Sequence, residues 1–157
     1  MNYITNIKNG WMDFKIPVKK RTDNIFDESV SFSLSYIEDV FDELIDICID
    51  YYNNNFAVHH FNCEDKYVTF IIDNDKIVIL IDENCLNAYI CKDNPTAFIK
   101  KLYEDFDNDI DELIHFNSNS CNFYEDKDKT SYIGEVNSCK EHINKKLKEL
   151  SLLIDII

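Results

Sequence analysis

Glycine and proline are nearly missing from this chain, whose 157 residues include only two of each. With glycines only at positions 10 and 134, no Gly-rich loop can cradle a phosphate, and nucleotide-binding enzymes of the usual kinds are excluded. The six cysteines, Cys48, Cys63, Cys85, Cys91, Cys121 and Cys139, form no C-x-x-C pair. Residues 1–20 contain no export-type apolar run, because Lys8, Asp13 and Lys15 interrupt it. Free thiols in a cytosolic protein are therefore expected. No stretch reaches the ~18 apolar residues of a membrane span; the best run, residues 67–81, is broken at Asp73, Asn74, Asp75 and Lys76.

One stretch also lacks positive charge altogether. Between Asp23 and His60 there are nine carboxylates and no Lys or Arg. Over the whole chain, 30 Asp and Glu face 16 Lys and Arg, a net charge of −14. Residues 1–22 are net +4, residues 23–60 are −9, residues 61–116 are −8 and residues 117–157 are −1. A surface of this sign repels nucleic acid and steers cationic partners. Direct nucleic-acid binding and membrane attachment are not expected.

The chain does have ample hydrophobic material: 45% hydrophobic residues, 11 Phe and 9 Tyr. A single domain over residues 1–157 can bury roughly 70% of its unfolded surface. Residues 11–16 read as a strand. Residues 29–35 alternate Val30, Phe32 and Leu34 against four serines, the mark of a strand with one buried face. Strands are also expected at 56–62, 66–72, 76–81 and 88–91, with a tight turn at Asp73-Asn74-Asp75. Ser35 and Glu38 form a capping box that opens a helix over residues 37–52, stopped by Asn53, Asn54 and Asn55. Asn94-Pro95 starts a second helix that runs to about residue 116. Residues 117–137 read as a loop, and Ser138 with Glu141 caps a last helix carrying Lys140, Lys145, Lys146 and Lys148, which could offset acid elsewhere. The expected fold is α+β: an antiparallel sheet of about 5–6 strands with two or three helices packed on it.

On a wheel of about 100° per residue, the first helix gathers Ile37, Val40, Phe41, Leu44, Ile45, Cys48, Tyr51 and Tyr52 on one side. Glu38, Asp39, Asp42, Glu43, Asp46 and Asp50 lie on the other, with Ile49 as an apolar intruder. Like charges at i, i+4 cost a helix a few tenths of a kcal/mol per pair, so this row calls for a reason. The candidate partner-binding set is Glu38, Asp39, Asp42, Glu43, Asp46 and Asp50, joined by Asp105 and Glu112 of the second helix.

Catalytic and metal-binding readings find little. His59 and His60 are adjacent on a strand and point to opposite faces, so they cannot chelate one ion. Asp105-x-Asp107-x-Asp109 begins like a calcium loop, but Ile110 stands where glycine is needed and Phe116 where the bidentate Glu is needed. Cys63 near His59 or His60 is the single plausible nucleophile. No catalytic residue, cofactor or metal is expected, and the chain reads as a non-enzyme.

The segments Gly10-Trp11-Met12-Asp13-Phe14, Ser35-Tyr36-Ile37-Glu38-Asp39-Val40 with Leu44 and Ile45, and Phe61-Asn62-Cys63-Glu64 resemble a pattern in small bacterial immunity proteins of polymorphic-toxin and contact-dependent inhibition systems. The resemblance covers about residues 10–116 and rests on core positions, so no functional residue carries over. It implies a compact α+β domain that binds a cognate toxin domain and blocks its active site or cofactor access. The expected function is binding and neutralising a basic toxin, or another basic protein, through an acidic surface. Two alternatives stand beside it: a DNA-mimic inhibitor of a nucleic-acid-binding protein, and an accessory domain whose acidity serves solubility alone.

Overall fold

The computed structural model describes residues 2–8, 11–19, 29–35, 39–63, 66–120 and 129–155. It is an α+β fold, with seven strands in two antiparallel sheets and four helices among these residues. The single sheet of 5–6 strands and the two or three helices expected from the sequence are both corrected by this arrangement. Strands β1 (Ile4–Lys8), β2 (Trp11–Pro17) and β3 (Ser29–Ser35) form the smaller sheet in that order. Strands β4 (Phe56–Asn62), β5 (Tyr67–Asp73), β6 (Lys76–Asp82) and β7 (Leu86–Ile90) form the larger. Helix α1 (Val40–Asn54) lies between the sheets in the chain, and α2 (Pro95–Asn108), α3 (Ile110–Ser120) and α4 (Lys129–Asp155) follow them.

Period-2 patterning sets the inner faces. Met12, Phe14 and Ile16 pair in register with Leu34, Phe32 and Val30, and all six are buried. The larger sheet turns Ala57, Phe61, Val68, Phe70, Ile72, Ile77, Ile79 and Ile81 inward. Phe70 joins the two: its ring sits edge-on to Phe14 and Phe32, at 6.5 and 5.8 Å between centroids, and also to Phe61 at 5.8 Å. The sheets also meet at an edge, where Lys19 N donates to Ile90 O and Lys92 N to Pro17 O.

Where the local signal is strong, the elements follow it. Asn94 caps α2 by accepting from Ala97 N at 2.9 Å, with Pro95 in the first turn. Asn55 closes α1 at φ 55°, a left-handed geometry that Asn tolerates better than most residues. Elsewhere the expectations need correction. α1 opens after Asp39 with no side-chain cap, and Ser35 belongs to β3; Tyr36, Ile37 and Glu38 lie outside the described residues. The expected second helix is two, broken at Asp109 (φ −113°, ψ 21°). The apolar phase of Phe106, Ile110, Leu113 and Ile114 continues across that break, so periodicity alone cannot show it. α4 begins nine residues before Ser138, at Lys129, so the second capping box falls inside a helix. The expected loop at 117–137 is helical at both ends, and its centre, residues 121–128, lies outside the described residues. β1 went unread because only Ile4 and Ile7 stand out in it, and its pairing is irregular between Ile4 and Asn6.

Candidate functional site

The acidic side of α1 does not stand free. α4 buries Ile143, Leu147 and Leu150 and packs along α1. This brings Lys146 between two acids, with Nζ 2.8 Å from Asp42 Oδ2 and 2.7 Å from Asp46 Oδ1. His142 Nε2 lies 3.0 Å from the other Asp42 oxygen. Burial works against the Lys146 ammonium, but hydrogen bonds and charge from Asp42 and Asp46 outweigh it and raise its pKa. Glu43 meets His59 Nε2 at 2.9 Å. Ile49, the apolar intruder, is buried, as suits a helix covered on that side too. One ammonium therefore relieves the i, i+4 repulsion that the sequence left unexplained. Asp42 and Asp46 therefore lie in a seam between α1 and α4, and Glu43 between α1 and β4.

The remaining members of the predicted set scatter. Asp39, just before α1, Asp50 on α1 and Glu112 on α3 are exposed. Glu38 lies outside the described residues. Asp105 is 2% exposed, where its Oδ2 accepts from Tyr3 N at 2.6 Å and Ile4 N at 3.0 Å. Burial pushes its pKa up, although both amides favour the carboxylate. As a surface contact Asp105 is therefore corrected: helical periodicity placed it outward, but β1, an element the sequence hid, covers it.

Cys63 is fully buried, His59 is engaged by Glu43, and His60 Nδ1 lies 2.6 Å from Thr69 Oγ1 on the opposite face of β4. Burial pushes the Cys48 thiol far above its ordinary value. Among the described residues no three His, Cys, Asp or Glu gather as a metal-holding group, and no helix is long and apolar enough to cross a membrane. Tyr3, Asp93 and Lys101 form a small polar cluster: the Tyr3 hydroxyl donates to Asp93, Lys101 Nζ donates to the same carboxylate at 2.9 Å, and it lies 5.5 Å from the centre of the Tyr3 ring. This cluster ties the end of β1 to α2.

The open chemical surface lies elsewhere, on the outer face of the larger sheet. Register places Val58, Ile71, Val78 and Ile90 in one row across all four strands. His60, Thr69, Leu80 and Ala88 form the next row, and Asn62, Tyr67, Asp82 and Leu86 the one beyond. Phe56 is 52% exposed, Val58 44%, Tyr67 57%, Leu86 65% and Ile90 42%. Among the described residues only one other large hydrophobic, Leu152, is as open. These side chains stand together on one face and are not scattered over the surface. Its two ends are acidic. Asp73 and Asp75 stand at the β5–β6 turn, with Lys76 beside them, and Asp82 and Glu83 stand where β6 leaves the sheet. No ion pair among the described residues engages these four acids.

The sequence carried a signal for this face. Residues 67–72 and 77–81 are nearly continuous apolar runs where a half-buried strand alternates, and continuous runs belong to strands covered on both faces. No protein-family model matches this chain, and no curated protein or solved structure matches it either.

Proposed function

We propose that this chain is a non-enzymatic protein-binding domain, of the kind that neutralises a basic toxin, and that it meets its partner with the outer face of β4–β7. The observation that carries the reading is the row Val58, Ile71, Val78 and Ile90, exposed at Val58 and Ile90 and half-buried at Ile71 and Val78, between two acidic ends. An apolar centre with a charged rim is the usual anatomy of a protein interface. Asp75, Asp82 and Glu83 supply the negative field that was expected of α1. Such a field speeds capture of a cationic partner by roughly 10–10³-fold, with the gain collapsing in salt. The toxin-neutralising part of the reading rests on the resemblance over residues 10–116 and on the acidic balance. A phosphate mimic has less support, because it needs a free carboxylate row and Asp42, Glu43 and Asp46 are bridged.

The test is rescue of growth. The product of the gene next to this one, or its last domain, is expressed alone and together with this chain. Toxicity alone, relief on co-expression, and loss of relief in a folded Val78→Asp variant are expected. A neighbouring domain that is harmless, or that this chain does not relieve, overturns the toxin-neutralising reading. Relief undiminished by Val78→Asp removes the sheet face from it.

A further inference from the structure

The larger sheet ends at β7, and that strand has an edge as well as a face. Cys91 N donates to Ile77 O on β6 at 2.9 Å. Successive residues of an antiparallel strand bond to alternate sides, so Tyr89 and Asn87 also turn their amides and carbonyls toward β6. Leu86, Ala88 and Ile90 turn theirs outward. The chain covers only one end of this edge. There Lys19 N donates to Ile90 O at 2.7 Å, Lys92 N donates to Pro17 O at 2.9 Å, and Val18 bridges to Cys91. Among the described residues, no hydrogen bond reaches the outward N–H and C=O of Leu86 or Ala88. At the opposite edge of the sheet, by contrast, α1 packs against β4. Open backbone groups at this spacing are a template for another extended strand.

We infer that the occupant is β7 of a second copy of this chain, paired antiparallel about a two-fold axis at Asn87. In this register Leu86 of each copy lies opposite Ala88 of the other, and each such pair exchanges both of its hydrogen bonds. Charge selects this occupant. Lys19 is exposed beside Ile90, whereas Asp82 and Glu83 are exposed just before Leu86. The two-fold reverses one strand against the other, so Glu83 of one copy comes to Lys19 of the other at both ends of the seam. A parallel pairing sets acids beside acids. Size fits as well: Leu86, 65% exposed, stands over Ala88, the smallest side chain of the strand, on the same outer face. The length is also right. The turn at residues 83–85 folds back to Asp82, which pairs with Leu86, so the incoming strand ends before it meets Lys19. The two four-stranded sheets become one continuous sheet, with both apolar outer faces on the same side. This pairing goes beyond the protein-binding reading and does not depend on it.

So short a seam makes a weak dimer, so the full chain is followed by sedimentation equilibrium from about 10 µM to about 1 mM. A monomer–dimer equilibrium is expected, with amide exchange at Leu86 and Ala88 slowing as the dimer forms. Ala88→Pro deletes an outward N–H and is expected to abolish the dimer. Proline is tolerated on an edge strand, and circular dichroism checks the fold. Glu83→Lys is expected to weaken the dimer about tenfold, and Glu83→Lys with Lys19→Glu to restore it. Asn87→Cys in a Cys85→Ser background is expected to give a disulfide-linked dimer, because opposed residues of a non-hydrogen-bonded pair lie about 4.5 Å apart. The last two tests decide the matter should Ala88→Pro not fold. Monomer at every concentration overturns the inference, as does a dimer that a folded Ala88→Pro leaves intact, that the charge swap does not restore, or that Asn87→Cys does not link. A dimer split by Val78→Asp but not by Ala88→Pro stacks the faces instead and also overturns it. So does full protection of both amides in the monomer, which assigns the edge to the chain's own residues beyond Lys19.

Discussion

The two sheets differ on one side only. Inside, both present buried aliphatic and aromatic residues to a shared core, with Phe70 between them. Outside, the smaller sheet shows Ser29, Ser31, Ser33, Asp13 and Lys15, with the Ser33 hydroxyl donating to Asp13 Oδ1 at 2.5 Å. The larger sheet shows Val58, Ile71, Val78, Leu80 and Ile90 in the equivalent positions. Serine and charge suit a face that stays in water, and an antiparallel sheet of that kind needs no second cover. A face of valine and isoleucine gains by being covered, about 1.5–3 kcal/mol for each such side chain fully buried. The contrast separates what holds the fold together from what is left uncovered.

That contrast can be broken at its hinge. Phe70→Ala removes the ring that contacts residues of both sheets, and should cost about 3–5 kcal/mol in urea unfolding, lowering both sheets together. Independent melting of the two sheets in hydrogen exchange would show that they do not share a core. A sharper comparison sets Val78→Asp against Ser31→Asp. The first should weaken partner binding by about 30-fold or more with little change in melting temperature, and the second should change neither.

The helical seam provides a control of the opposite kind. Lys146→Ala strips Asp42 and Asp46 of their shared cation and should cost about 1 kcal/mol of stability while leaving partner binding alone. The sign of its pH dependence follows from the raised ammonium pKa. The stabilisation is fully present below the ordinary lysine value of about 10.4 and is lost as pH rises through the higher folded value. The gap between parent and variant should therefore stay constant through neutral pH and narrow in strong alkali, as followed by urea denaturation at each pH. The smallest effect is at Gly134 in α4. A Cβ there meets nothing within 4 Å, so Gly134→Ala should raise stability by about 0.5–1 kcal/mol. Thermal melting checks it.

Much of the fold was legible because its signals are local. The serine alternation of β3, the Asn-Pro start of α2, and the turn at Asp73-Asn74-Asp75 each need only a few neighbouring residues. β1 has too few apolar positions to register, and the break at Asp109 leaves the apolar phase intact, so neither could be read. The site was less legible. Reading Glu43, Asp46 and Asp105 as free surface followed from helical periodicity, which finds the face opposite the core but not whether another element covers it. The continuous apolar runs of β5 and β6 did point to a sheet wanting cover on both sides. Their strand character was legible at once, and the consequence for the outer face emerged with the register.

By itself the sequence determined the α+β class, most strand positions, the acidic balance and the absence of any Gly-rich phosphate loop, because each depends on composition or on residues a few places apart. Only the tertiary structure decided which charges are spent and which apolar side chains remain open. Lys146 reaches Asp46 across a separation of 100 residues, and Val58 becomes the neighbour of Ile71 and, through Val78, part of the same row as Ile90 once four strands align. The first outcome depends on packing between distant elements, which no local pattern encodes; the second was signalled by the apolar runs of β5 and β6, but only the register aligned it into one row.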